Sequence, residues 1–262
     1  MAQTTSLAFF NNKGGVGKTT LSCNMAAQLA EKAALSILYV DCDPQCNATQ
    51  LLLDDDTWEG LYSNKQKSTN ATLLSVFKNI RVGDSTIVTD FPVVRSSRFD
   101  IDVLPGHPNL STLEDTFSSS WIEFKAGQIG AARRSLWAQY LVQAADYDLV
   151  IFDTPPIAVV SDAIPLMSQV SGVLVVVRLG NTRRDDATRL HEQLVRLEAP
   201  TLGLVINGVS SHASGYRSYA DHSPAHSGEP AAYAGAPAVQ RPLSDYDGHS
   251  GAVRPVPQRP PR

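Results

Sequence analysis

The sequence predicts an α/β fold, a doubly wound and mostly parallel sheet flanked by helices, and three observations carry that expectation. Five short apolar runs, at 7–10, 37–40, 149–152, 173–177 and 202–206, are nearly continuous rather than alternating, which suits strands buried on both faces. Helical patterns lie between them, notably at 20–32, 130–145 and 182–197. A glycine-rich turn joins the first run to the first helical pattern.

A sixth strand at 101–104 closes at Pro105-Gly106. The stretch 54–100 is less regular. Asp54-Asp55-Asp56 and the polar run 63–72 read as loop, and 71–80 as a short helix. Composition changes sharply after about Ser211, where eight of the sixteen prolines fall between Pro224 and Pro261 and large aliphatic residues nearly vanish. Such a segment buries too little surface to offset its ordering entropy. The expected organisation is one domain over 1–210 and a disordered tail over 211–262.

The 262 residues, 43% of them hydrophobic, are enough for one sizeable core. A net charge of −4 argues against wholesale wrapping of nucleic acid. Cys23, Cys42 and Cys46 form no CxxC pair, so reduced thiols are expected rather than a metal site or disulfide. No leader pattern opens the chain, and no run reaches the roughly 18 apolar residues of a spanning helix. A cytoplasmic protein with no integral membrane segment is expected.

The chemistry centres on Lys13-Gly14-Gly15-Val16-Gly17-Lys18-Thr19-Thr20. Between a strand and a helix, glycines let main-chain N–H groups turn around phosphate oxygens, and the helix N-terminus adds partial positive charge. Lys18 is placed to reach the β- and γ-phosphates of ATP, and the Thr19 hydroxyl to ligate Mg²⁺. Asn12 stands where the ordinary GxxxxGK[ST] pattern has its first glycine. Asp41 and Asp43, spaced by one residue at a strand end, face the same crevice. Asp153 closes the apolar strand that starts after Asp148, an arrangement that holds Mg²⁺ directly or through water.

From Leu7 to about Asp153 the chain resembles the ParA/MinD family of deviant Walker ATPases. The resemblance rests on Phe10-Asn11-Asn12-Lys13-Gly14-Gly15, on Asp41-Cys42-Asp43-Pro44-Gln45-Cys46-Asn47, and on Leu104-Pro105-Gly106-His107 with Leu110-Ser111. It implies that Lys13 crosses an ATP-dependent homodimer to the partner's phosphates, that Asp43 orients the attacking water and that Asp41 supports the metal. It also implies that Asn207 lies near the adenine, and that non-specific DNA and a ParB-like activator are partners. After Asp153 the chain instead resembles the bacterial tyrosine kinases of capsule and exopolysaccharide synthesis, whose flexible tails are autophosphorylated. Four of the eight tyrosines here, Tyr216, Tyr219, Tyr233 and Tyr246, lie in the tail.

Two enzymes are therefore in play, a ParA-like ATPase and a tyrosine autokinase in which Asp41 or Asp43 accepts the phenolic proton. Lys13 and Pro44-Gln45-Cys46-Asn47 favour the ATPase. A non-catalytic nucleotide-gated scaffold is the third class, and ATP turnover separates it from both. For DNA, Arg178, Arg183, Arg184, Arg189 and Arg196 are spaced so that several could share a helix face, but Asp185, Asp186 and Glu192 among them favour an ordinary solvated helix. The prolines forbid a terminal amphipathic membrane helix. His107 reads as a loop residue, and Trp58, Trp121 and Trp137 as packing residues.

Overall fold

The computed structural model describes residues 4–11, 13–62, 71–156, 163–209 and 253–255. In chain order the elements are β1 (Thr5–Phe10), α1 (Lys18–Ala33), β2 (Ile37–Asp41), α2 (Asn47–Leu52), α3 (Asp55–Tyr62), α4 (Leu73–Val76), α5 (Lys78–Arg81), β3 (Pro92–Arg95) and β4 (Asp102–Leu104). A 3-10 turn, Pro108–Leu113, leads into α6 (Glu114–Lys125), α7 (Ile129–Ser135) and α8 (Trp137–Ala144). There follow β5 (Leu149–Asp153), α9 (Ala163–Leu166), β6 (Gly172–Arg178), α10 (Arg184–Arg196), β7 (Thr201–Asn207) and β8 (Val253–Pro255).

The strands form one sheet in the order β7-β6-β1-β5-β2-β4-β3-β8. From β7 through β4 every pairing is parallel, while β3 pairs antiparallel with β4 and with β8. All six expected strands and the doubly wound class are present. The short β3 was not expected, because Pro92 opens it and it offers only four residues. The tail expected over 211–262 lies outside the described residues, except that Val253–Pro255 pairs with β3.

Side chains of successive strand residues alternate between two cores, as a pleated backbone requires. Ala8, Phe10, Leu38, Val40, Val150 and Phe152 face one, which α4, α5, α6, α8 and α10 cover. Phe9, Ile37, Tyr39, Leu149 and Ile151 face the other, beneath α1 and α2. On the first face Phe77 sits edge-on to both Phe117 and Trp137, with ring centroids 4.9 and 5.0 Å away. Trp137 in turn meets Phe152 at 5.9 Å. The packing role expected of Trp137 is thus met.

The irregular stretch is more helical than its composition implies. Asp54-Asp55-Asp56 is no loop but the start of α3: Asp54 Oδ1 accepts from Thr57 N at 2.8 Å, and Asp55 and Asp56 fill the first turn, where acidic charge suits the helix N-terminus. The helix expected at 71–80 is two short ones, α4 and α5, broken at Phe77. The serine-rich α6 went unforeseen, since its apolar residues draw no clear stripe. Phe77→Ala should cost about 3–5 kcal/mol of stability, the range for a fully buried aromatic. A urea titration measures it as a lowered midpoint with unchanged slope.

Candidate functional site

The order of the sheet decides where the site lies. β1 stands between β6 and β5, and chain crossovers leave it in both directions, so a crevice opens at the carboxyl ends of β1, β5 and β2. Three motif segments arrive there from adjacent strands. The loop from Asn11 to Gly17 follows β1, Asp41 ends β2, and Asp153 ends β5.

The loop is held from outside by its carbonyls. Arg178 Nη1 donates to Gly15 O at 3.1 Å, Asn207 Nδ2 to Val16 O at 2.9 Å, and Asn181 Nδ2 makes a longer 3.5 Å contact with Gly14 O. Asn11 Nδ2 donates to Lys13 O. Gly17 begins α1 at φ 86°, and a side chain there would run into the Asn207 amide, so glycine is required on both counts. No side chain caps α1 and no acid occupies its first turn. Its leading N–H groups therefore remain available to an anion. Around Gly14 and Gly15 there is open space, as a phosphate cradle needs.

Asp153 is the hub. It is fully buried at the centre of the sheet; its Oδ1 forms an ion pair with Lys18 Nζ, and its Oδ2 accepts from Thr19 Oγ1 at 2.7 Å. The lysine is only 5% exposed, so removing either partner would strand a buried charge at a cost of about 3–5 kcal/mol. Thr154, next along, donates its hydroxyl to Phe9 O at 2.7 Å and ties the end of β5 to β1.

Asp41 is also fully buried, yet its direct partners differ. Oδ2 accepts from Thr49 N at 2.9 Å and Thr49 Oγ1 at 2.7 Å, and Oδ1 accepts from Asp43 N at 3.2 Å. The same Thr49 hydroxyl accepts from Gly106 N at 2.9 Å. Gly106 passes so close that a side chain would press on Asp41 at 3.1 Å. Thr49 thus clamps two loops together, a role the sequence signals only by its place after Asp41-Cys42-Asp43-Pro44-Gln45. Burial, then the charge of Asp153, pushes Asp41 up to about 7. Asp43 is buried as well and raised chiefly by burial, with Gln45 N donating to its Oδ1 at 2.9 Å.

Three buried carboxylates and one buried lysine leave an excess of negative charge, which adds to burial in raising Asp41. A hard divalent cation relieves such an excess. The donor set fits Mg²⁺, which takes one or two carboxylates and otherwise phosphate oxygens and water. Thr19 and Asp153 could hold it, with Asp41 behind them. No group of three or more His, Cys, Asp or Glu with metal-holding geometry occurs among the described residues.

Lys13 stands apart from this cluster. Its Nζ lies 2.9 Å from Asp186 Oδ2 on α10, and Arg189 holds the other oxygen of Asp186 at 3.0 Å. The lysine's hydrogen bond is the main reason that Asp186 titrates below the usual carboxylate range. Asn12 lies outside the described residues, and Thr20 is exposed. Of the five arginines, Arg184, Arg189 and Arg196 lie along α10, Arg183 stands at its N-cap position without a side-chain capping bond, and Arg178 ends β6 and reaches the loop. His107 caps the 3-10 turn, its Nδ1 accepting from Asn109 N at 3.0 Å. No helix is long and apolar enough to cross a membrane among the described residues.

The chain is similar to known proteins. The AAA domain family model matches residues 4–198. Over 201 residues the chain is 26% identical to the tyrosine-protein kinase YwqD of Bacillus subtilis, covering 76% of this chain and 71% of that protein. Over 154 residues it is 30% identical to the chromosome partitioning protein ParA of Caulobacter vibrioides, covering 57% of this chain and 47% of that protein. The crystal structure of protein DIP2308 from Corynebacterium diphtheriae is 40% identical with a TM-score of 0.61, over 65% of this chain and 58% of that one, less than two thirds of its length. With its glycine-rich loop and strand-end carboxylates in one crevice, the chain belongs to the AAA domain family of P-loop ATPases, within the ParA/MinD superfamily.

Proposed function

We propose that the chain binds ATP with Mg²⁺, hydrolyses it, and uses the cycle to switch between a monomer and a nucleotide-dependent homodimer in the positioning of DNA or other cargo. The observation that carries this reading is the convergence of Lys18 and Thr19 on Asp153 beneath an uncapped helix N-terminus. The main-chain amides from Gly14 to Thr20 hold the phosphates. Lys18 neutralises charge that develops on the transferred group, and Asp43 orients the attacking water. Thr19 and Asp153 hold Mg²⁺, with Asp41 in support, and the ion when bound supplies further neutralisation. Asn207, at the end of β7 beside the loop, borders the base. Lys13 gives up Asp186 to reach the phosphates of a second subunit. Non-specific DNA and a ParB-like activator are the partners that fit this reading.

The tyrosine kinase reading uses the same pocket, and the relatives include kinases as well as partition proteins. Tyr216, Tyr219, Tyr233 and Tyr246 lie outside the described residues. Incubation with labelled ATP separates the two. Free phosphate without label on protein supports hydrolysis, whereas label on those tyrosines supports the kinase.

Lys18→Ala should weaken ATP binding at least about tenfold, as loss of one charge-assisted contact does. Because this change also strips Asp153 of its partner, Lys18→Ala with Asp153→Asn supplies a variant in which the stranded charge is gone and binding stays weak. Calorimetric titration reads both, and unaltered affinity would overturn the proposal. Lys13→Ala should leave nucleotide binding to the monomer intact and abolish ATP-induced dimerisation in analytical ultracentrifugation.

The pH dependence follows from Asp41. Its proton is held up to about 7, above the ordinary carboxylate range, and supporting a cation requires the ionised form. Affinity for Mg²⁺ with ATP should therefore fall as pH drops from about 8 to about 6, with proton release on binding at the lower end. Asp41→Asn should bind more weakly and show only the pH dependence of ATP itself.

A further inference from the structure

The glycine-rich loop is gripped along its length, and the grips fall in order. Asn11 Nδ2 donates to Lys13 O, and Asn181 Nδ2 lies 3.5 Å from Gly14 O. Arg178 Nη1 donates to Gly15 O at 3.1 Å, and Asn207 Nδ2 to Val16 O at 2.9 Å. Four successive carbonyls thus meet four different side chains. In a trans, planar peptide unit the N–H points opposite to the C=O. A carbonyl held on the outside of the loop therefore turns the next residue's N–H the other way, toward the crevice. By this rule Arg178 governs the N–H of Val16, and Asn207 that of Gly17.

Arg178 is itself fixed by what surrounds it. It ends β6 in register with Asn207 of β7, so two parallel strands deliver neighbouring residues to neighbouring carbonyls. The turn that follows locks its main chain. Arg178 N donates to Thr182 Oγ1 at 3.1 Å, and Thr182 N donates back to Arg178 O at 3.0 Å. The side chain then passes over Gly208, which has φ 74°; a Cβ there would stand 3.1 Å from Arg178 Cγ and 3.4 Å from Nε. The missing side chain at 208 leaves the arginine stem its path to the loop.

We propose that Arg178 is a positioning residue for the nucleotide: by holding Gly15 O it aims the Val16 N–H at a phosphate oxygen. This rests on the reading of the crevice as an ATP site. The arginine acts through the loop rather than as a free charge, since an exposed cation is screened by salt.

The test pairs calorimetric titration of the full chain with Mg²⁺ and ADP, which avoids the ATP-dependent dimer, with steady-state ATP turnover. Arg178→Met keeps the stem over Gly208 and removes the donor. It should weaken ADP binding about threefold to tenfold, the worth of one exposed hydrogen bond. KM for ATP should rise alike while kcat stays within about twofold, because the grip serves ground and transition states equally. Arg184→Met removes the same charge from the exposed start of α10 and should leave ADP affinity unchanged. Without nucleotide, nuclear magnetic resonance order parameters at the Gly15 and Val16 amides should fall in Arg178→Met alone. A wild type that binds no ADP overturns the nucleotide reading itself, and this inference with it. A wild type that binds ADP, with Arg178→Met binding as tightly, overturns this inference alone. So does a fall in kcat at constant KM, which would put the guanidinium on the reacting phosphate. An equal loss in Arg184→Met does the same, since net charge rather than the grip would then set affinity.

Discussion

The contact on which the rest of the structure depends is the buried pairing of Asp153 with Lys18 and Thr19. It joins the first turn of α1 to the central strand β5, and it does so across a register that leaves no slack: Phe9 lies beside Asp153 and Asp41 beside it on the other flank. A slip of one residue in either pairing would turn a carboxylate from the crevice into a core. The sheet therefore fixes the relation of the charges more tightly than any loop could. That rigidity is what a site working through preorganised electrostatics requires.

Around this hub, excess negative charge is managed by short polar chains rather than by solvent. Thr49 serves Asp41 through both its N–H and its hydroxyl, then accepts from Gly106. On the neighbouring face Ser22 and Tyr39 share a 2.6 Å hydrogen bond, with Cys23 Sγ donating to the same phenol at 3.4 Å. Burial pushes the Cys23 thiol up to about 12, which makes it inert and fits the expectation of reduced thiols. These contacts satisfy polar atoms in an interior where an unpaired one is costly.

Much of the fold was legible in the sequence, for a simple reason. Strands buried on both faces are written as unbroken apolar runs, and 37–40 and 149–152 hardly admit another reading. The loop was legible because its spacing is fixed by main-chain geometry, which few other sequences satisfy. What escaped notice depends on long-range placement. Lys13 and Asp186 are far apart in the chain, and only the crossover through β6 and α10 brings them together. Thr49 looks like any helix residue until Gly106 is laid against it. α6 carries Ser118-Ser119-Ser120 amid its apolar residues, so its period was masked. The three acids at 54–56 were misread because the same residues favour turns and helix starts, and only the capping bond of Asp54 tells the two apart.

The grip on Gly15 and Val16 carries a consequence for how the crevice behaves when empty. With those carbonyls engaged by Arg178 and Asn207, the glycines keep little of the freedom their lack of side chains would grant. The stretch is less a hinge than a mould, set before any guest arrives by side chains from β6 and β7. Association then loses little entropy to ordering the receptor, and more of the contact energy is expressed as affinity. Softness in this molecule belongs elsewhere than in its most glycine-rich segment.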